Sequence, residues 1–421
     1  MEHINKSKEH ITELICACID TESTGLAVDY YHKQDVIDLR EMSFVVQLAY
    51  KIFRLDYAGN IIELHRNNML VMPLGRFNSS FDDMPAEALA VHGHTMEQLY
   101  EHGEPMQKVL DQFRLDLERF GVTHLIAHNA PYDLTILDYE CQRCKTANFM
   151  TQYPVIDTKF LYKGFAKHLS NGSAKLVDAY RGLFGHDFES AHDALADVNA
   201  CADVFAECCK RLQVWPMLHC TAAMTCYSGA KHDNIPSSIF DNDWQRIAQV
   251  DIAVMSSDAE LLWFKHIYIN DPYELFDAEW LKLYNIDYND CKTKGLDADT
   301  AIDFVHAILQ LSGNCVVMHQ PYFVYGMWQS NCKKNARENA IFHKQAIVNN
   351  ASLAAQLWPE LRNGSLTPVT RDALNAKIGG HANYEPAAVS DVSNAVAMLR
   401  YVYANRINVC AFMRPWHIKY R

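Results

Sequence analysis

Ile15-Cys16-Ala17-Cys18-Ile19-Asp20-Thr21-Glu22-Ser23-Thr24-Gly25-Leu26 is the stretch that decides the fold of this chain. Its first five residues form a short apolar run suited to a buried strand. Successive side chains on a strand alternate between faces, so Asp20 and Glu22 point the same way. Two carboxylates at the end of a central strand are costly to bury unless positive charge stands between them. A divalent cation is the natural counter-charge, because hard cations prefer carboxylate oxygen. Asp-x-Glu is also common on exposed strands and turns, so the pair needs partners elsewhere in the chain.

Two later segments supply them. Thr123 to Ala127 reads as another strand, followed by His128-Asn129-Ala130-Pro131-Tyr132-Asp133 and a helix that enters from Leu134, with Asp133 near its start. Further on, Ser190-Ala191-His192-Asp193-Ala194-Leu195-Ala196-Asp197 opens a helix whose apolar stripe is Leu195, Val198, Ala202 and Phe205. That 3-4-3 spacing gives one buried face. His192 falls at or just before the helix start and Asp197 in its second turn. Asp193, one turn earlier, competes for the role of Asp197.

Composition sets the frame. A chain of 421 residues exceeds one ordinary core, so two domains are expected. No apolar run approaches the ~20 residues of a membrane span, and the polar start, Met1 to His10, is unlike a secretory leader. Thirteen cysteines, an odd and scattered set, point to reduced thiols and a cytoplasmic compartment. Cys141 and Cys144 form a C-x-x-C, but a structural zinc needs a second pair at similar spacing, which adjacent Cys208 and Cys209 do not provide. Residues 1–210 carry 19 Lys+Arg against 31 Asp+Glu, and residues 211–421 carry 19 against 20. That balance argues against a grip on long duplex by phosphate neutralisation alone. It leaves room for an enzyme of strand ends in which bound cations reverse the local field.

Together the segments IDTESTGL (19–26), VHGHT (91–95), AHNAPYDLTILDYE (127–140), VIDTKFL (155–161) and AHDALAD (191–197) resemble the DEDDh family of 3′→5′ exonucleases. Within it they look most like the proofreading exonuclease subunit of bacterial replicative DNA polymerases. The His-x4-Asp of the last segment marks the h subtype. The resemblance covers about residues 12–210 and implies a ribonuclease H-like α/β fold, a mixed sheet flanked by helices. It further implies that Asp20, Glu22, Asp133 and Asp197 hold two Mg²⁺ or Mn²⁺ ions, with His192 as general base. The implied products are nucleoside 5′-monophosphates cut from the 3′ end of single-stranded or frayed nucleic acid, with DNA favoured. Thr24, Gly25 and Leu26 would hold the terminal nucleotide. His92 and Asn129 are further candidates for substrate contact, or equally turn and strand-end hydrogen-bonders.

The second half echoes the first. Asn314 to Gln320 repeats Thr123 to Asn129 at an offset of 191, and Phe304, Ile308 and Leu311 repeat Phe113, Leu117 and Phe120. Cys332 falls on Cys141, and Val389, Val392, Val396 and Leu399 repeat the Leu195–Phe205 stripe. The expected organisation is a polar tail (1–11), the exonuclease domain (12–212), a linker (213–247), a degenerate exonuclease-like α/β domain (248–408) and a basic, aromatic tail (409–421). In the second domain Val254 and Ser256 are expected opposite Asp20 and Glu22, Val324 opposite Asp133, Pro386 opposite His192 and Asp391 opposite Asp197. Its shorter front part is expected to lack an edge hairpin. Such a domain would be inactive, serving as a protomer mimic or as a dock for a polymerase or other replication or repair partner. Two other functions fit the same residues: a 3′→5′ exoribonuclease, and an adaptor whose pseudo-exonuclease domain binds a partner. No membrane association is expected.

Overall fold

The computed structural model describes residues 15–25, 42–56, 59–72, 84–164, 174–189, 193–212, 221–231, 243–255, 261–270, 275–311, 315–318, 321–335 and 346–349, with isolated positions elsewhere up to 398. The chain divides into two compact units, Glu13–Arg211 and one formed mainly by Leu212–Arg421.

In the first unit, β1 (Ile15–Ser23) lies at the centre of a five-stranded sheet. It pairs antiparallel with β2 (Val45–Leu55), which pairs antiparallel with the edge strand β3 (Ile61–Leu70). On its other side β1 pairs parallel with β4 (His124–Ala127), and β4 with β5 (Val155–Asp157). β2 is buried along most of its length, as its apolar run VVQLAY requires, whereas β3 turns charged residues to solvent as an edge strand must.

Two short helices, α1 (Ala86–His92) and α2 (Met96–His102), follow the hairpin. A left-handed Gly93 ends α1, and a Thr95–Gln98 capping box starts α2. α3 (Met106–Arg119) buries Val109, Leu110, Phe113 and Leu117 against the sheet. α4 (Ala130–Arg143) brings Ile136, Leu137 and Cys141 to the same core. After β5 come α5 (Thr158–Lys163), α6 (Leu176–Phe184) and the long α7 (Ala194–Leu212). α7 buries Val198, Ala202 and Phe205 as the stripe predicts, while Leu195 is half-buried.

The second unit holds β6 (Thr221–Ser228), β7 (Ile247–Met255), β8 (Leu261–Tyr268), β9 (Cys315–Met318) and β10 (Ala346–Asn349). Its strand order, β10-β9-β6-β7-β8, matches β5-β4-β1-β2-β3, with the same sequence of parallel and antiparallel pairs. Helices α8 (Ala278–Lys282), α9 (Tyr288–Lys294), α10 (Ala298–Leu311) and α11 (Pro321–Lys334) follow the order of α1 to α4. Registers agree residue by residue. Cys16 pairs with His124 and Thr221 with Cys315; Glu22 pairs with Gln47 and Tyr227 with Gln249, each just before a bulge. Buried Glu140 accepts from Val45 N–H at 3.0 Å, and buried Asn331 accepts from Ile247 N–H at 3.2 Å.

This register corrects two expectations. The counterpart of β1 is β6, inside the stretch 213–247 expected to be a linker, and Val254 lies on β7, the counterpart of β2. Thr225 and Tyr227 therefore stand opposite Asp20 and Glu22. The edge hairpin is present as β7 and β8. The strand Thr-Ala-Ala-Met-Thr-Cys-Tyr-Ser carries none of the carboxylates that mark β1 and so gives no local signal. Ser256, Pro386, Asp391, Val389, Val392 and Leu399 lie outside the described residues.

Candidate active site

Asp20 and Glu22 project from the same face of β1, and α7 brings Asp197 against them. One oxygen from each of these three carboxylates lies within 4.8 Å of the other two. Among the described residues no other group of three acidic, histidine or cysteine side chains has metal-ligand spacing. Asp133, in the first turn of α4, stands just outside this triad. Its Oδ1 accepts from the backbone N–H of Thr21 at 2.9 Å and from the Thr21 hydroxyl at 2.7 Å.

The electrostatics follow from crowding. Burial, then the charges of Asp133, Asp197 and Glu22, push Asp20 well above the ordinary carboxylate range. Burial and the charges of Asp197 and Asp133 push Glu22 up to about 8. Asp133 is raised to about 7 by burial, against the lowering effect of its Thr21 hydrogen bonds. Four carboxylates are thus held together at a cost that protonation or a cation must relieve. Hard oxygen donors of this kind suit a hard divalent cation.

The ambiguity between Asp193 and Asp197 is resolved by capping. Asp193 Oδ1 accepts from the N–H groups of Leu195 and Ala196 at 3.1 and 3.0 Å, so its carboxylate starts α7 while Asp197 joins Asp20 and Glu22. Gln47, directly across from Glu22, ties this helix start to the sheet. Its Oε1 accepts from His94 Nε2 at 2.9 Å and from Ala194 N–H at 3.4 Å, and its Nε2 donates to Asn68. A lone glutamine in an apolar strand was the available signal for this role.

The other predicted residues separate. Thr24 is bound to the neighbouring strand: its N–H donates to Phe44 O and its Oγ1 accepts from Phe44 N–H, both at 2.9 Å. Gly25 O accepts from the hydroxyls of Ser23 and Tyr132. His92 is buried beside the Ser23 backbone and stacked on His94; burial, then His94, lower it to about 4. Asn129 sits at the turn between β4 and α4. It is the left-handed residue before α4, its N–H donates to Asp157 Oδ1 at 3.0 Å, and its Oδ1 accepts from Lys159 Nζ at 2.9 Å. His192 and Leu26 lie outside the described residues. Cys141 is fully buried and its thiol is pushed up to about 12 by burial, which suits packing rather than metal binding.

Residues 77–205 match the RNase_T family, described as Exonuclease. The first unit carries an exonuclease domain. The matched stretch holds Asp133, His192 and Asp197, while Asp20 and Glu22 precede it. The curated proteins include no match to the sequence. Solved structures similar to the chain include the nuclease domain of 3′hExo, a DEDDh family member, bound to rAMP, at 16% identity and a TM-score of 0.36, covering 46% of this chain and 90% of that one. Another is a complex described as 3′-end specific recognition of histone mRNA stem-loop by 3′-exonuclease, at 16% identity and 0.36, covering 46% and 80%. A third is Exonuclease X in complex with 5′ overhanging duplex DNA, at 17% identity and 0.31, covering 47% and 92%. No helix among the described residues is long and apolar enough to cross a membrane.

Proposed function

We propose that the exonuclease domain removes nucleoside 5′-monophosphates from the 3′ ends of single-stranded or frayed nucleic acid, with DNA as the favoured substrate. The observation that carries this reading is the convergence of Asp20, Glu22 and Asp197 oxygens within 4.8 Å, with the charge of Asp133 acting on Asp20. Asp20, Glu22, Asp133 and Asp197 would hold two divalent cations, Mg²⁺ or Mn²⁺. When bound, such ions supply an activated water and neutralise charge developing on the phosphoryl oxygens. The chain's own groups do the remaining work. His192, two residues before α7 in sequence, takes a proton from water, an imidazole's ordinary pKa being near neutrality. Thr24 and Gly25, held rigidly at the end of β1, receive the terminal nucleotide together with Leu26. The preference for DNA rests on the sequence resemblance.

The second unit, in this reading, is a degenerate copy of the first. Thr225, Tyr227 and Val324 stand where Asp20, Glu22 and Asp133 stand, so three of four carboxylates are replaced. Its role is then docking, to a polymerase or another replication or repair protein, or imitation of a second protomer.

The test compares wild-type protein and Asp20→Ala on matched DNA and RNA oligonucleotides with Mg²⁺ or Mn²⁺. Stepwise loss of 5′-monophosphates from the 3′ end of DNA, abolished by Asp20→Ala, is the expected result. Faster digestion of RNA would reverse the substrate preference. Digestion of neither substrate would favour an adaptor.

A further inference from the structure

The exonuclease domain fastens the end of β1 by a hydroxyl triangle that its counterpart lacks. Ser23 Oγ and Tyr132 Oη lie 2.8 Å apart, and both donate to Gly25 O, at 2.7 and 3.0 Å. Two hydroxyl protons serve three oxygen contacts, so the two groups share their protons between each other and the carbonyl. The carbonyl of Gly25 is thereby turned toward α4, which orients the peptide plane that begins at Gly25. Thr24 is fixed independently by its two bonds to Phe44. Neither hydroxyl bonds the Asp133 carboxylate, whose Oδ1 is held by Thr21. Tyr132 and Asp133 are adjacent in the first turn of α4, yet one secures the turn and the other joins the carboxylates.

The second unit provides an internal comparison. Its β6 keeps a serine at the bulge, Ser228, and α11 begins at the same offset, which puts Phe323 opposite Tyr132. Phe323 has no hydroxyl; its ring packs edge-on against Trp244. Ser228 Oγ instead accepts from Trp280 Nε1 at 3.0 Å. The clamp therefore accompanies the unit that keeps its carboxylates.

We propose that Tyr132 is a positioning residue, whose hydroxyl, acting with Ser23, sets the Ser23–Gly25 turn that receives the 3′-terminal nucleotide. This rests on the exonuclease reading above. The turn contacts a part of the substrate that does not change during hydrolysis, so loosening it weakens ground state and transition state alike. Tyr132→Phe removes one oxygen and keeps the ring. In the full-length protein, on a single-stranded DNA oligonucleotide with Mn²⁺, it should raise KM about threefold to tenfold, the worth of about one hydrogen bond. The value of kcat should stay within about twofold, since the Asp133 anchor is untouched.

Ser23→Ala should raise KM by a similar factor. The double variant should be little worse than either single one, because the two hydroxyls act as a unit. An unchanged KM in Tyr132→Phe, a fall in kcat alone, or additive effects in the double variant would overturn the clamp. A wild-type protein inactive on DNA and RNA would instead remove the exonuclease reading, and the clamp's role with it. Thermal melting of each variant separates misfolding from a positioning defect: a Tyr132→Phe protein that melts as wild type with raised KM supports the proposal.

Discussion

Thr21 gives both its backbone N–H and its hydroxyl to a single oxygen of Asp133, at 2.9 and 2.7 Å, across 112 residues of sequence. The two donors lock α4 to β1 and hold the carboxylate beside Asp20. Thr21→Val keeps shape and removes one donor from a buried acceptor. It should cost about 1–3 kcal/mol of stability, and loosening the carboxylate should lower kcat about tenfold or more. Chemical denaturation and steady-state kinetics check the two effects separately.

The crowded carboxylates also dictate a pH dependence for metal-free protein. Glu22 is raised to about 8 and Asp133 to about 7, from 4.5 and 3.8. Between those limits the folded state binds more protons than the unfolded one, so stability falls as pH rises from about 4 to about 8. Denaturation in chelator from pH 5 to 8.5 should show that slope. Added Mg²⁺ should stabilise more at pH 8 than at pH 6, because ionised ligands bind it better. A stability that rises across the same range in chelator would contradict the electrostatic picture.

Asp193 and Asp197 should respond differently to serine. Asp193→Ser retains an N-cap acceptor, so activity and melting temperature should stay near wild type. Asp193→Ala should lose about 1 kcal/mol. Asp197→Ser should lower kcat by at least about 10²–10³-fold with little effect on melting. Parallel kinetics and melting curves of the three variants decide the assignment.

Glu140 and Asn331 occupy matching sites and should carry different energetic weight. Glu140 accepts from Val45 N–H and pairs with Arg143, whose other donors reach Leu39, Met42 and Ser43 carbonyls. Glu140→Ala strands a buried guanidinium and should cost about 3–5 kcal/mol. Asn331→Ala strands the neutral Ile247 N–H and should cost about 1–3 kcal/mol. Equal costs would contradict the heavier weight of the charged partner.

Much of the first unit was legible because its elements carry their own periods. The strand at Ile15–Ile19 shows as an apolar run, the helix expected from Leu134 is present but begins four residues earlier at Ala130, and the Val198–Phe205 stripe repeats at helical spacing. In the second unit the helices remained readable by offset, since α10 and α11 keep the lengths of α3 and α4. The strand β6 is not readable in this way, because its small and polar residues carry no landmark and have the composition of a linker.

The sequence by itself determined that Asp20 and Glu22 share one face of a strand, because alternation is a local rule, and the family resemblance named Asp133 and Asp197 as their partners while leaving Asp193 as a competitor. Only the tertiary structure decided what each does. Capping geometry separated Asp193 from Asp197, and hydrogen bonds across more than a hundred residues tied Asp133 to Thr21 and Tyr132 to the Gly25 carbonyl. Strand register alone put Thr225 and Tyr227 opposite Asp20 and Glu22. Such pairings depend on which strands lie side by side, and no local period in the chain encodes that.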